Sequence, residues 1–187
     1  MSGRIPDRVR WAVEILDVQP SEQILEIGPG PGVALGLVCD RLVDGHITAI
    51  DRSAVAVRRT SERNAQCVSA GKATVIQADV TECGSDGRRF DKIFAINVNV
   101  FWVQPDGPQV PIVAGLLRPR GRLSLFYESP DAAKADRVVE TTQKALCRHG
   151  FTTSTSSATQ PPMRCVEAWL EAERRSSPMT PAAGPSR

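Results

Sequence analysis

The stretch Ile24-Leu25-Glu26-Ile27-Gly28-Pro29-Gly30-Pro31-Gly32 is where this sequence is most informative about chemistry. A short apolar run ends in three alternating glycines, and a helical pattern follows. Glycine permits a sharp turn and lets a ligand approach the main chain. Strand-to-helix turns of this kind occur in several nucleotide-binding folds. Here the spacing is G-x-G-x-G, and Val33 stands where a dinucleotide fingerprint would place its last glycine. Glu26, two residues before the first glycine, would be awkward beside a pyrophosphate. It suits a ligand end that carries an ammonium group.

Three further polar positions follow apolar runs. Asp51 comes about 20 residues past the glycine turn, where a carboxylate can accept hydrogen bonds from both hydroxyls of a ribose. Taken alone, Asp51 also serves as a helix N-cap, as does the nearby Ser53. Asp79, in Gln77-Ala78-Asp79-Val80, could accept a hydrogen bond from an adenine amino group, with Val80 and Arg52 flanking the ring; a turn residue is the plainer reading. Asn97 and Asn99 tolerate unusual backbone angles and offer donors and acceptors, among the apolar neighbours Val98, Val100, Phe101 and Trp102.

These residues need a scaffold, and the periodicity supplies one. Val9, Ala12, Val13 and Leu16 fall on one helical face. Apolar runs at 24–27, 47–50, 74–78, 93–96 and 122–127 read as strands. Between them lie helical stripes: Leu35, Val38 and Leu42; then Ala54, Val57, Ser61, Ala65 and Val68; then Val110, Val113, Ala114 and Leu117. Residues 81–89 read as a loop or one short turn. Ala135, Val138, Thr142 and Leu146 mark a last helix. Strands alternating with helices imply βαβ units and a parallel sheet covered on both faces. Two final strands, 151–158 and 164–170, have no helix between them. They are expected to form a hairpin, so at least one runs antiparallel to the rest. Right-handed crossovers put the glycine turn, Asp51, Asp79 and Asn97 on one edge of the sheet, where ligands bind in such folds.

Composition is that of an ordinary soluble domain, with 41% apolar and 24% charged residues. A net charge of only +2 gives no electrostatic case for nucleic acid or an anionic membrane. No stretch is long enough to span a bilayer, and no secretory leader is evident. The five cysteines, Cys39, Cys67, Cys83, Cys147 and Cys165, are odd in number and lack C-x-x-C spacing. They are expected to be reduced, mostly buried thiols in a cytoplasmic protein, and no metal site is expected. One domain is expected over residues 1–172, followed by a disordered tail over 173–187 rich in Ser, Pro, Ala and Gly.

With these residues in place, the chain resembles a class I, seven-stranded S-adenosylmethionine-dependent methyltransferase of the small, general kind. The likeness runs from Val9 to Leu170. The turn from Glu26 to Gly32 matches the family's first motif, Asp51 its acidic residue after the second strand, and Asp79-Val80 its adenine-contacting motif. Residues 90–97 resemble its fourth motif, and 116–125 the helix–strand joint after it. The resemblance implies a Rossmann-like three-layer α/β sandwich with strand order 3-2-1-4-5-7-6 and an antiparallel seventh strand. It implies S-adenosyl-L-methionine as cofactor and S-adenosyl-L-homocysteine as product. Glu26, Gly28, Pro29, Gly30, Gly32, Asp51, Arg52, Asp79, Val80 and Asn97 are the expected cofactor-binding residues.

The acceptor is not legible. Asn97-Val98-Asn99-Val100 stands where many amide and adenine N-methyltransferases carry Asn-Pro-Pro-Tyr, and no Pro-Cys pair follows the fourth strand. His46 and His149 read as structural. Tyr127, Glu128 and Asp106 are candidate bases without an assigned role, and Phe101 and Trp102 read equally as pocket wall or core. The segments that usually carry acceptor specificity are short. That points to a small or exposed acceptor in an open pocket, in a monomer or homodimer. A non-catalytic cofactor-binding or scaffold protein is the alternative from another class. A nicotinamide-dependent reductase is opposed by the glycine spacing and by Glu26.

Overall fold

The computed structural model describes residues 4–84, 87–159 and 162–171; the expected tail over 173–187 lies outside them. The first helix, α1, spans Asp7–Leu16 and buries Val9, Ala12, Val13 and Leu16, the face that the spacing predicts. It ends at Asp17 in the left-handed conformation. The strand β1 (Gln23–Ile27) then runs into the glycine turn and the helix α2 (Val33–Cys39). There follow β2 (His46–Asp51), α3 (Ala54–Arg63), the short α4 (Ala65–Ser69) and β3 (Ala73–Gln77).

A single 3-10 turn, Val80–Glu82, occupies the predicted loop before β4 (Phe90–Ile96). Beyond it come α5 (Val100–Val103), α6 (Gln109–Leu116), β5 (Leu117–Glu128) and α7 (Ala132–Arg148), then β6 (Phe151–Thr159) and β7 (Pro162–Leu170). The seven strands form one sheet in the order β3-β2-β1-β4-β5-β7-β6. The first five are mutually parallel. β7 is antiparallel to both β5 and β6, as the hairpin requires.

The sheet separates two apolar layers. Leu25 and Ile27 face one, with Phe101, Val110, Val113 and Leu116. Ile24 faces the other, with Ala12, Val13, Leu35 and Val38 of α1 and α2. Side chains alternate along a strand. Glu26 therefore points to the face of Ile24, toward α1 and α2, and arrives there as a buried carboxylate among apolar neighbours.

Several details differ from the periodicity reading. The face expected on the third helix, Ala54, Val57, Ser61, Ala65 and Val68, is not the buried one. Thr60 and Asn64 are buried instead, and Ala54, Ala65 and Val68 are exposed. The helix breaks at Asn64 (φ −111°, ψ 27°), so a single 3.6-residue period does not continue through it. Leu117 is not helical: it opens β5 by pairing with Phe90, ahead of an irregularity that carries Arg120 at φ 67°.

The cysteine expectation also needs correction. Cys39 and Cys67 form a disulfide, with Cα atoms 6.5 Å apart, inside the span such a bond requires. They lie 28 residues apart on different helices, which is why local spacing rules did not reveal them. Of the remaining three, only Cys165 is buried, and Cys147 is exposed.

Candidate functional site

The carboxyl ends of β1, β2, β3 and β4 open onto a cleft of about 470 Å³. Its walls include Gly28, Gly30, Asp51, Arg52, Asp79, Val80 and Asn97, seven of the ten residues expected there. Ile27, Ile50, Ala78, Ile96, Val98, Asn99 and Val100 complete it. Parallel strands with crossover connections bring their ends together on one edge, which is why positions far apart in sequence converge.

A second cavity of about 130 Å³ adjoins it on the α1 side and is lined by Glu26, Pro29, Arg8 and Val9. Gly28, Gly30, Ile96 and Asn97 line both, so the two cavities share a wall at the glycine turn. Gly32 lies apart. It is buried against α3, with Thr60 and Asn64 less than 3 Å from where its Cβ would be. It shapes the turn without facing the cleft.

The turn itself needs glycine. Gly28, Gly30 and Gly32 all have positive φ, at 68°, 53° and 72°. A Cβ on Gly28 would lie 2.6 Å from Val98 Cγ2, and its N–H donates to Ile50 O at 2.8 Å. A Cβ on Gly30 would meet nothing within 4 Å, because that side of the turn is the open site.

Each polar residue has a defined state. Glu26 is 3% exposed, and its Oε2 has no hydrogen-bond partner. Burial raises its pKa to about 8, since a charge is poorly stabilised in apolar surroundings. Asp51 lines the cleft, and its Oδ1 accepts from the backbone N–H of Ser53 at 2.9 Å; the cap of α3 is Ser53 itself, whose Oγ accepts from Ala56 N. Asp79 both caps the 3-10 turn and lines the cleft. Its Oδ1 accepts from Thr81 N at 2.9 Å and Thr81 Oγ1 at 2.8 Å, while Arg52 Nε lies 3.7 Å from Oδ2. The Thr81 bonds hold its carboxyl below the ordinary pKa, with a smaller contribution from Arg52. Asn97 has φ 56°, and its Oδ1 accepts from the backbone N–H of Glu128 at 2.8 Å.

The remaining candidates sort by packing. Phe101 is 1% exposed and belongs to the core. Trp102 packs edge-on against Tyr127 with centroids 4.6 Å apart. The Tyr127 hydroxyl pairs with Thr142 Oγ1 at 3.2 Å, and burial raises its pKa well above the ordinary phenol value. Glu128 pairs with Arg8 at 3.1 Å, tying the end of β5 to α1. Asp106 pairs with Arg148 of α7. The two histidines are peripheral. His46 is held between Gly71 O and Thr74 Oγ1, and His149 caps α7. Thr60 and Asn64, which touch the turn from behind, were missed because polar residues in a helix ordinarily face solvent.

Comparison with known proteins follows the same lines. Residues 24–121 match the family Methyltransf_25, described as a methyltransferase domain. A protein-L-isoaspartate O-methyltransferase from Methanothermobacter thermautotrophicus is 25% identical over 124 residues, covering 66% of this chain and 57% of that protein. YrhH of Bacillus subtilis (strain 168) is 29% identical over 85 residues, covering 46% of each. The chain thus spans about half the length of the curated relatives it matches. Among solved structures, the glycopeptide N-methyltransferase MtfA complexed with S-adenosyl-L-methionine superposes with a TM-score of 0.73. That likeness spans 91% of this chain and 90% of the other at 17% identity, and at such identity it is one of fold. The family match begins on β1, takes in the glycine turn and all four strand ends that form the cleft, and covers more than half of the chain: this protein belongs to the methyltransferase-domain family.

Proposed function

We propose that this chain transfers a methyl group from S-adenosylmethionine to an acceptor that enters through the open mouth of the cleft. One observation carries the cofactor reading. Glu26 is buried with an unpartnered carboxylate oxygen, in a cavity that adjoins Gly28 and Gly30. An unsatisfied buried acceptor is costly. A ligand bearing an ammonium group beside the glycine turn would relieve that cost. A nicotinamide dinucleotide would instead bring a pyrophosphate toward this carboxylate.

The other residues suit the same ligand. Glu26 would hold its amino acid end, Asp51 its ribose hydroxyls and Asp79 its adenine amino group. Val80 and Arg52 would flank the ring, and the open side of Gly30 leaves room for close approach. Asn97 would contribute indirectly, since its side-chain oxygen is engaged with Glu128. When bound, the cofactor supplies a methyl group on a positively charged sulfur, so the protein's task is chiefly alignment.

Each of the three candidate bases is already engaged by another side chain. Tyr127 is buried and hydrogen-bonded, Glu128 is engaged with Arg8, and Asp106 is engaged with Arg148 on α7. This supports a small acceptor that presents its own lone pair at neutral pH, a nucleophile for which general-base help is unnecessary.

Isothermal titration with S-adenosylmethionine and S-adenosylhomocysteine, with NADH as control, tests the reading. Micromolar binding of the two sulfur ligands and none of NADH is expected, followed by transfer of labelled methyl in an acceptor screen. Binding of NADH alone, or of none of the three, would overturn it.

A further inference from the structure

The back of the glycine turn is held by residues with no place in the site itself. Thr60 is fully buried in α3, and its hydroxyl donates to Gly30 O at 3.1 Å. Asn64, 6% exposed, donates through Nδ2 to Gly32 O at 2.9 Å and to Thr60 O at 2.8 Å. The Gly30 and Gly32 carbonyls are thereby anchored on α3 and on the Asn64 break that ends it.

Two local irregularities allow this contact. The α3–α4 helix breaks at Asn64 itself. Gly36 sits inside α2, where glycine is disfavoured against alanine. A Cβ on Gly36 would lie 2.8 Å from Asn64 Oδ1, so any side chain there would displace Asn64. One turn further along, at Cys39 and Cys67, the same two segments are joined covalently. A helix break, a helical glycine and two buried polar side chains converge on a single contact.

We propose that Thr60 and Asn64 are positioning residues: they hold the Gly30 and Gly32 carbonyls on α3 and so preset the turn in the shape that receives the cofactor. The physical reason lies in the glycines. Gly28, Gly30 and Gly32, each at positive φ and separated by Pro29 and Pro31, can take other conformations, and a ligand that binds one of them must otherwise order the turn at the expense of its own affinity. The peptide after Gly30 belongs to Pro31 and has no N–H, so Gly30 O is the polar group by which that plane can be fixed. In the trans peptide after Gly32, holding the carbonyl toward Asn64 turns the Val33 N–H to the opposite side.

The proposal rests on the cofactor reading above, and the test separates the two. Dissociation constants for S-adenosylhomocysteine are measured by titration well below the melting temperature, with melting recorded for each protein. Thr60→Val keeps the shape and removes the donor; Thr60→Ser keeps the donor. Thr60→Val is expected to raise the dissociation constant about tenfold, the effect of losing one buried hydrogen bond, and Thr60→Ser to stay near the wild type. Gly36→Ala, which displaces Asn64 while favouring helix, is expected to weaken binding while the protein's melting temperature stays within about a few degrees of the wild type; unchanged affinity would overturn the part given to Asn64. Equal affinity in wild type and Thr60→Val, or the same loss in Thr60→Val and Thr60→Ser, would overturn the latch alone. Absence of binding by the wild type would overturn the cofactor reading and the latch with it.

Discussion

Asn97 and Glu128 join the ends of two neighbouring strands: Asn97 Oδ1 accepts the backbone N–H of Glu128 at 2.8 Å. Asn97 makes this bond from a left-handed conformation at φ 56°, which costs most residues roughly 1–2 kcal/mol. Asparagine is tolerated there better than most, because a short polar side chain can bond locally. The bond ties the end of β5 to Asn97, which lines the cleft.

Replacing Asn97 divides these contributions. Asn97→Gly keeps the backbone angle and loses the bond, for a cost of about 1 kcal/mol. Asn97→Ala loses the bond and adds the strain, so it should be destabilised more than the glycine variant. Urea unfolding of both proteins checks the order; a less stable glycine variant would contradict it.

Glu26 predicts opposite effects on stability and binding. Its native pKa is raised to about 8 from an ordinary 4.5. Between those values the native state keeps a proton that the unfolded state has lost, so this group lowers stability as pH rises through that window and adds no further change above about 8. Glu26→Gln should remove the decline and melt higher than the wild type at pH 8.5, by roughly a few degrees. The same variant should lose most affinity for S-adenosylhomocysteine. In the wild type, binding an ammonium beside Glu26 must expel the proton below about pH 8, so affinity should fall by up to about tenfold per pH unit on the acid side. Calorimetric titration from pH 6 to 8.5 reads this directly; a flat profile would separate Glu26 from the ligand.

Asp51 lines the cleft while one of its oxygens accepts the backbone N–H of Ser53, the cap of α3. Asp51→Ala should weaken cofactor binding by about 1–3 kcal/mol, the range for charge-assisted hydrogen bonds. The lost bond to Ser53 should also cost about 1 kcal/mol of stability. Asp51→Ser restores an acceptor oxygen without the charge. Recovery of melting temperature without recovery of affinity is therefore the outcome that assigns the carboxylate to the ligand.

The Cys39–Cys67 bond closes a loop of 28 residues. In the chain-entropy view a bridge of that span contributes about 3.6 kcal/mol. Cys39→Ser with Cys67→Ser should lower the melting temperature under oxidising conditions and abolish its dependence on added dithiol. An equal melting temperature for wild type and double variant without reductant would remove the bridge from the stability of this fold.

Sequence by itself determined much of this protein. The run 24–27 and the alternating glycines 28, 30 and 32 read as a buried strand entering a ligand-facing turn, because glycine accepts a positive φ without strain. Alternating periods of two and 3.6 marked the strands and helices of a layered sheet, and the missing helix between 151–158 and 164–170 required a hairpin with at least one antiparallel strand, which the family resemblance assigned to β7. Those signals are local, so they survive without coordinates. Tertiary structure decided the rest. It buried Glu26 on the α1–α2 side of β1 and left its Oε2 without a hydrogen-bond partner. It turned Thr60 and Asn64 inward, overriding the apolar stripe, because two glycine carbonyls needed donors there. It also brought Cys39 and Cys67 within bonding distance on helices separated by a strand. Each of these depends on which surface meets which across the chain, and local periodicity carries no record of that.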